Sequence, residues 1–263
     1  MKSIVHSTAA KLLVLLLLSL ASGAQAQTQT TTATPTAYQR FNTWLMVFSD
    51  ARLSNKWGIH TEGQLRQVKG PNSPQQKFLR VGANYYVANI LVLTGGYANT
   101  MSYPDGNDSD VGGLPEHRSY QQVLLRFDSS RVMSQHRYRL EQRWVQHLGD
   151  KKFTYLNRFR YQLRLTLPLN HERKIAPGTP YVLASNELFV VFGRNDAGKF
   201  FEQNRACLGV GYQVNRATSI EAGYMNQMSQ QETMSSLVAG HILHLGLNFN
   251  PDFRKGKLTM ANN

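Results

Sequence analysis

Residues 57–66 read WGIHTEGQLR, and their alternation decides the fold. Trp57, Ile59, Thr61, Gly63 and Leu65 fall on one set of positions, and Gly58, His60, Glu62, Gln64 and Arg66 on the other. A period of two places the two sets on opposite faces of a β-strand, one apolar and one charged. The split recurs in His136 to Val145, where Tyr138, Leu140 and Trp144 oppose Arg137, Arg139, Glu141 and Arg143. It recurs in Asn157 to Leu167, where Phe159, Tyr161, Leu163, Leu165 and Leu167 oppose Arg158, Arg160, Gln162, Arg164 and Thr166.

Working outward, further strands are expected at Phe41–Leu53, Phe78–Val87, Leu91–Thr100, Arg118–Phe127, Tyr181–Phe192, Gln203–Val214, Ser219–Asn226 and Leu237–Phe249. Alternating runs of about ten residues, parted by turn residues, are the signature of a transmembrane β-barrel. No stretch beyond the N-terminus approaches the length of a membrane helix, about 18 apolar residues, so a chain in a membrane would cross it as a barrel. The expected fold is all-β: an antiparallel up-and-down barrel of 10–12 strands, transmembrane in type. Such barrels favour even counts, so the eleven runs suggest a twelfth strand within Thr30–Arg40, or else an N-terminus threaded through the barrel. Short connections follow the odd-numbered strands and longer polar ones the even-numbered, including the acidic, Gly-rich Pro104–Glu116. The usual rule sets short turns at the periplasm and long loops outside.

The N-terminus reads as an export signal over residues 1–26. Lys2 and Lys11 flank the apolar run Leu12–Leu20, and Ala24-Gln25-Ala26 offers a small-x-small cleavage site. A leader at 27–38, a barrel over 39–250 and a tail at 251–263 complete the expected organisation. Removing the signal takes two of the 29 Lys and Arg and no carboxylate, leaving 27 against 16. A net charge of +11 at an exported location excludes nucleic acid and leaves outer-membrane lipid or small anionic solutes as partners. A single cysteine, Cys207, excludes an intramolecular disulfide framework. The outer membrane is the expected location, with the periplasm as the alternative; oligomeric state is not encoded in any pattern here.

Several strings resemble the bacterial family called domain of unknown function 2490. They are Lys56-Trp57 through Glu62 to Arg66, Arg137–Arg143 (RYRLEQR), Tyr161–Asn170 (YQLRLTLPLN), Ser185-Asn186-Glu187, and Gln203-Asn204-Arg205 followed by Gly209–Tyr212. The resemblance covers roughly Trp44 to Asn250 and implies a secreted, barrel-like protein of Gram-negative bacteria. It carries over no catalytic residues.

The chemistry sits on the polar faces. They carry Arg66, Arg80, Arg118, Arg126, Arg137, Arg139, Arg143, Arg158, Arg160, Arg164 and Arg205, accompanied by Glu62, Glu141, Glu187 and Glu221. A charge facing lipid at mid-membrane costs about 2–4 kcal/mol, so these side chains are expected in a lumen or at a rim. Two roles fit: a structural ladder of paired Arg and Glu, or a lumen that draws anions. Trp44, Trp57, Tyr85, Tyr138, Trp144, Tyr155, Tyr161, Tyr212 and Tyr224 are expected outside, as an interfacial girdle or as ordinary strand residues.

No cofactor or metal is called for. His241 and His244, three apart, would lie on opposite faces of one strand, whereas His60 and Glu62 share a face. The leading functional reading is a non-enzymatic barrel, structural or passing small polar or anionic solutes. An outer-membrane lipid hydrolase would need a His–Ser pair, with His60 or His136 as the histidine. A soluble periplasmic barrel binding an apolar ligand would need the faces inverted, with Leu163, Leu165 and Leu167 inside.

Overall fold

The computed structural model describes residues 41–68, 74–103, 113–128, 131–170, 174–193, 200–230 and 237–254. The signal, the leader, the segment Thr30–Arg40, most of the acidic loop and the tail beyond Arg254 lie outside them.

Eleven strands run in sequence order: β1 (Phe41–Arg52), β2 (Trp57–Val68), β3 (Pro74–Ala88), β4 (Leu91–Ser102), β5 (Leu114–Phe127), β6 (Met133–Gln146), β7 (Phe153–Pro168), β8 (Pro180–Phe192), β9 (Phe201–Gln213), β10 (Thr218–Gln230) and β11 (Leu237–Phe249). Each pairs with its sequence neighbour, and β1 pairs with β11, so the sheet is a closed barrel. An up-and-down meander of odd count brings its first and last strands round in the same direction. The closing seam is accordingly parallel, with Phe41 level with His241 and Phe48 level with Asn248. Among the described residues the sheet closes on eleven strands, and the twelfth expected within Thr30–Arg40 lies outside them. Beyond the parallel ladder the seam is pinned by Asp50, whose backbone N–H donates to Asn250 Oδ1 at 2.8 Å, and by Arg52, whose N–H donates to the Pro251 carbonyl at 2.8 Å.

The register fixes the barrel's shape. Level positions run from Arg52 through Gly58, Asn84, Thr94, Gln122, Arg139, Arg160, Phe189, Gln203 and Ser229 to Val238. Arg52 is eleven residues past Phe41, and Val238 is three short of Phe41's partner His241, so one circuit climbs about 14 residues. An even stagger lets every strand keep the same parity of inward and outward positions. With strands about 4.8 Å apart and about 3.3 Å of rise per residue, it tilts the strands by about 40° and gives a backbone radius of about 11 Å. A 13-residue strand such as β9 then rises about 32 Å along the axis.

The wall sorts its side chains by that parity. Leu45, Val47, Leu65, Leu79, Val81, Leu93, Leu208, Val210, Leu243, Leu245 and Leu247 are exposed on the outside. Glu62, Arg80, Glu116, Arg118, Arg139, Glu141, Arg158, Arg160 and Glu187 are buried within. Leu163, Leu165 and Leu167 share the outward parity of Tyr161, while Gln162 and Arg164 line a lumen cavity. The inverted arrangement required of an apolar-ligand barrel is therefore not the one adopted.

The outer aromatics meet in pairs along the wall. Near the odd-numbered turns, Trp57 meets Tyr85 edge-on at 4.9 Å, and near the opposite end Trp144 meets Tyr155 at 5.4 Å. Tyr138 meets Tyr161 at 5.0 Å, and Tyr224, at the midpoint of β10, stacks on His241 at 5.9 Å. Trp44 departs from the expected girdle: it is inside the lumen and 3% exposed. Its cross-strand neighbour is Arg66, and residues directly opposite across a ladder share a face. Taken alone, β1 hides this, because Trp44, Met46 and Phe48 line the lumen while Leu45 and Val47 are also apolar and face out.

Candidate functional site: the charged lumen

The lumen is built around Glu141, whose side chain is fully buried. Arg158 donates to Glu141 Oε2 through Nε at 2.8 Å and Nη2 at 2.5 Å. Arg80 and Arg160 donate to Glu141 Oε1 at 3.1 and 2.9 Å, and Arg139 Nη1 lies 3.8 Å away. One carboxylate thus faces four guanidiniums. They are tolerated because each has further partners. Arg80 also donates to Glu62, Arg139 donates twice to Gln122 Oε1, and Arg160 Nε donates to Glu187 at 2.9 Å. Strand pairing prepares the contacts: Glu62 stands level with Arg80 and Glu141 with Arg158. Tyr120, 1% exposed, supplies an aromatic face to Arg80 at 4.9 Å and to Arg139 at 5.3 Å. The ring has room because Gly82 and Gly96, level with each other, lack the Cβ atoms that would strike it.

From this centre the pairs extend both ways. Toward the odd-turn end, Glu187 accepts from Arg137 at 2.8 Å, and Glu221 accepts from Arg164 at 2.6 Å and from the Tyr181 hydroxyl at 2.8 Å. Asp50 there accepts from Asn84 Nδ2 and lies 2.8 Å from His60 Nδ1. Arg126 stands apart at the rim, exposed, with Nη2 3.7 Å from Asp50. Toward the other end, Glu116 accepts from Arg118 at 2.6 and 2.7 Å and from Arg143 at 2.5 and 3.2 Å. Glu202 accepts from Arg143 at 2.8 Å and from Arg158 at 3.1 Å.

Glu116 and Glu202 are charge partners that pattern reading assigns to loops. Strand β5 begins at Leu114 rather than Arg118, and the Glu116-x-Arg118 spacing was its signal. Glu202 sits in a β-bulge: Phe189 pairs with Gln203 but Val190 with Phe201, leaving Glu202 as the extra residue. A bulge resets the in–out parity, so counting by two cannot place it.

Of the arginines lining the lumen cavities, Arg66 and Arg205 have no carboxylate partner among the described residues. Arg66 donates to Gln64 Oε1 at 3.0 and 2.7 Å, and its guanidinium carbon lies 3.9 Å over the Trp44 ring. Arg205 donates to Gln227 Oε1 at 3.0 Å and lies 4.9 Å over the same ring. Two cavities meet here. One of about 340 Å³ opens toward the odd-turn end and one of about 460 Å³ toward the other, and Trp44, Arg160 and Arg205 line both.

The wall parts the two histidines singled out from the sequence. His60 belongs to the lumen with Asp50, while His136 is held outside against the Tyr161 hydroxyl at 3.0 Å. Glu62, which shares a face with His60, is committed to Arg80 and Gln64. His241 pairs with Tyr224 outside, and His244 lies inside with its Nδ1 3.5 Å from Cys207 Sγ, a contact no sequence spacing announces. Among the described residues no histidine is hydrogen-bonded to a serine, and no group of three or more His, Cys, Asp and Glu side chains is arranged to hold a metal ion.

A family model described as a protein of unknown function (DUF2490) matches residues 41–237, from the start of β1 to the first residue of β11. An uncharacterized protein of Methylorubrum extorquens is 30% identical over 189 residues, which cover 71% of this chain and 77% of that protein. The matched span contains the whole lumen network from Glu62 to Glu221, and the chain belongs to the DUF2490 family.

Proposed function

We propose that this chain is an exported outer-membrane β-barrel, without enzymatic activity, whose Arg-rich lumen admits small polar or anionic solutes. The observation that carries the reading is the inversion of charge across the wall. Across all eleven strands, the outward-facing positions hold no Asp, Glu or Arg, and their one Lys, Lys77, lies near the end of β3. A soluble barrel would dress that surface with charge; a lipid-facing one cannot. Some of the polar side chains that do face outward pair with one another: Asn186 and Asn204 exchange hydrogen bonds at 3.1 and 3.0 Å, and Ser119 donates to Gln142 at 2.8 Å. A strand rise of about 32 Å suits a hydrocarbon core of about 30 Å. Trp57 with Tyr85 toward one end and Trp144 with Tyr155 toward the other suit its interfaces. The signal-like residues 1–26 would direct export, and the loop rule would set the odd-numbered turns at the periplasm.

The lumen's excess of cations supplies the anion preference. Ten of its arginines meet six glutamates: Arg66, Arg80, Arg118, Arg137, Arg139, Arg143, Arg158, Arg160, Arg164 and Arg205 against Glu62, Glu116, Glu141, Glu187, Glu202 and Glu221. A second reading, a structural barrel closed by its own side chains, is favoured by the near-complete burial of Arg80, Arg139 and Glu141.

Fractionation tests location. The protein is expected in the outer-membrane pellet after high-salt and carbonate washes, with a gel mobility that changes on boiling. Recovery in the soluble periplasm would overturn the membrane reading. Planar bilayers then separate the two lumen readings: anion-selective current supports passage, and a sealed membrane with correctly folded protein supports the closed barrel.

A further inference from the structure

The arginines beside Trp44 hold a set of donors with nothing to accept them. Trp44 Nε1 is buried and has no hydrogen-bond acceptor. Arg66 spends Nε and Nη2 on Gln64, and its Nη1 has no acceptor among the described residues. Arg205 spends Nε on Gln227, and its terminal nitrogens have no acceptor among the described residues. The nearest carboxylates are engaged elsewhere. Glu62 serves Arg80 and Gln64, and Glu187, level with Arg205 across the β8–β9 ladder, serves Arg137 and Arg160. Two positive charges thus rest on one indole ring, beside a cavity of about 460 Å³ and at its junction with the second.

We propose that Arg66, Arg205 and Trp44 form a binding site for a small oxyanion of the phosphate type. The proposal rests on the open, polar lumen put forward above and adds to it a place where the anion stops. Guanidinium forks match oxyanions by paired N–H···O contacts, and a tetrahedral anion has enough oxygens to engage both forks together. Chloride can accept from both guanidiniums but offers no pair of oxygens to match either fork, so it is held less well. Trp44 and Arg205 line both cavities and Arg66 lines the second, so the site lies where the two adjoin.

Trp44 makes its own test possible. The chain has three tryptophans, and the other two, Trp57 and Trp144, are outside and exposed. In a Trp57→Phe/Trp144→Phe background, the full-length barrel folded in detergent emits from Trp44 alone. Titration with sodium phosphate is expected to change that emission saturably, while sodium chloride at equal ionic strength does not. Replacing Arg205 by Gln should weaken the phosphate response by about tenfold or more, and Arg205→Lys, which keeps the charge but loses the fork, by less. Arg66→Gln provides a second variant, and the boiled-versus-unboiled gel shift confirms that each is folded. A flat Trp44 signal, an equal response to chloride, or a response unchanged in both Gln variants would overturn the site. Conductance is read separately. Phosphate binding in a barrel that passes no current overturns passage and keeps the site, whereas anion current with a flat Trp44 signal does the reverse.

Discussion

Two regions of the same lumen treat arginine differently. In the packed centre, Arg80, Arg139, Arg158 and Arg160 crowd around Glu141, and each has a second acceptor or an aromatic face. Beside the closing seam, Arg66 and Arg205 lean on Trp44 with glutamine oxygens as their only acceptors among the described residues. The centre is buried, and its charges are tied into the wall on strands β2, β3, β6, β7 and β8. The seam side has cavities instead. Arginine count alone would not separate structural charges from available ones; the separation follows from where the carboxylates are.

The sharpest way to break the centre is to neutralise its hub. Glu141→Gln leaves four guanidiniums around a neutral amide, and removing one member of a buried ionic cluster costs about 3–5 kcal/mol. The expected outcome is a large drop in the urea midpoint of the barrel refolded into lipid vesicles, or failure to give a heat-modifiable band. An unchanged midpoint would mean that water reaches the centre and the distinction between the two regions is false.

An arginine can also be moved to the other side of the wall. Val81 faces outward in the middle of β3, level with Thr61 and Tyr97 on the neighbouring strands. Val81→Arg should destabilise the barrel in vesicles by about 2–4 kcal/mol. On a soluble barrel the same exposed substitution should stay within about 0.5 kcal/mol. The urea midpoint in vesicles, read against the wild type, decides between them.

Glu116→Gln probes the region between. Arg143 retains Glu202, and Arg118 retains the Phe78 ring at 5.5 Å, so one buried arginine loses its carboxylate but not its packing. A loss of about 1–3 kcal/mol is expected by the same urea titration. A cost equal to that of Glu141→Gln would make the network one cooperative unit rather than a centre with extensions.

Much of this was legible in the residues. Period-two alternation located all eleven strands, because a wall with one lipid-like and one charged face repeats its pattern on every strand. The count of charges on the inner face was less legible. Glu116 lies two residues before Arg118, where the alternation becomes readable, and Glu202 lies in a bulge that breaks the parity. Trp44 was unreadable from β1 alone, since both faces of that strand are apolar; only the register with Arg66 orients it. The parallel seam and the Cys207–His244 contact are long-range consequences of closure, and local spacing carries no trace of them.

The smallest expected effect on stability is at the seam side, and its smallness is the point. Arg205→Gln removes a cation that has no carboxylate partner among the described residues, so no buried carboxylate is left unpaired. The loss of one hydrogen bond to Gln227 and of contacts with the Trp44 and Phe189 rings is offset by relief of repulsion from Arg66. The urea midpoint should therefore move by no more than about 1 kcal/mol in either direction. Anion preference should nonetheless fall, because the variant withdraws the guanidinium whose two terminal nitrogens have no acceptor among the described residues. Reversal-potential measurements under a chloride gradient read that preference directly. A variant that is strongly destabilised would place Arg205 with the structural arginines of the centre. A variant equally stable and equally selective would leave the excess charge of the lumen, rather than these two side chains, as the origin of the preference.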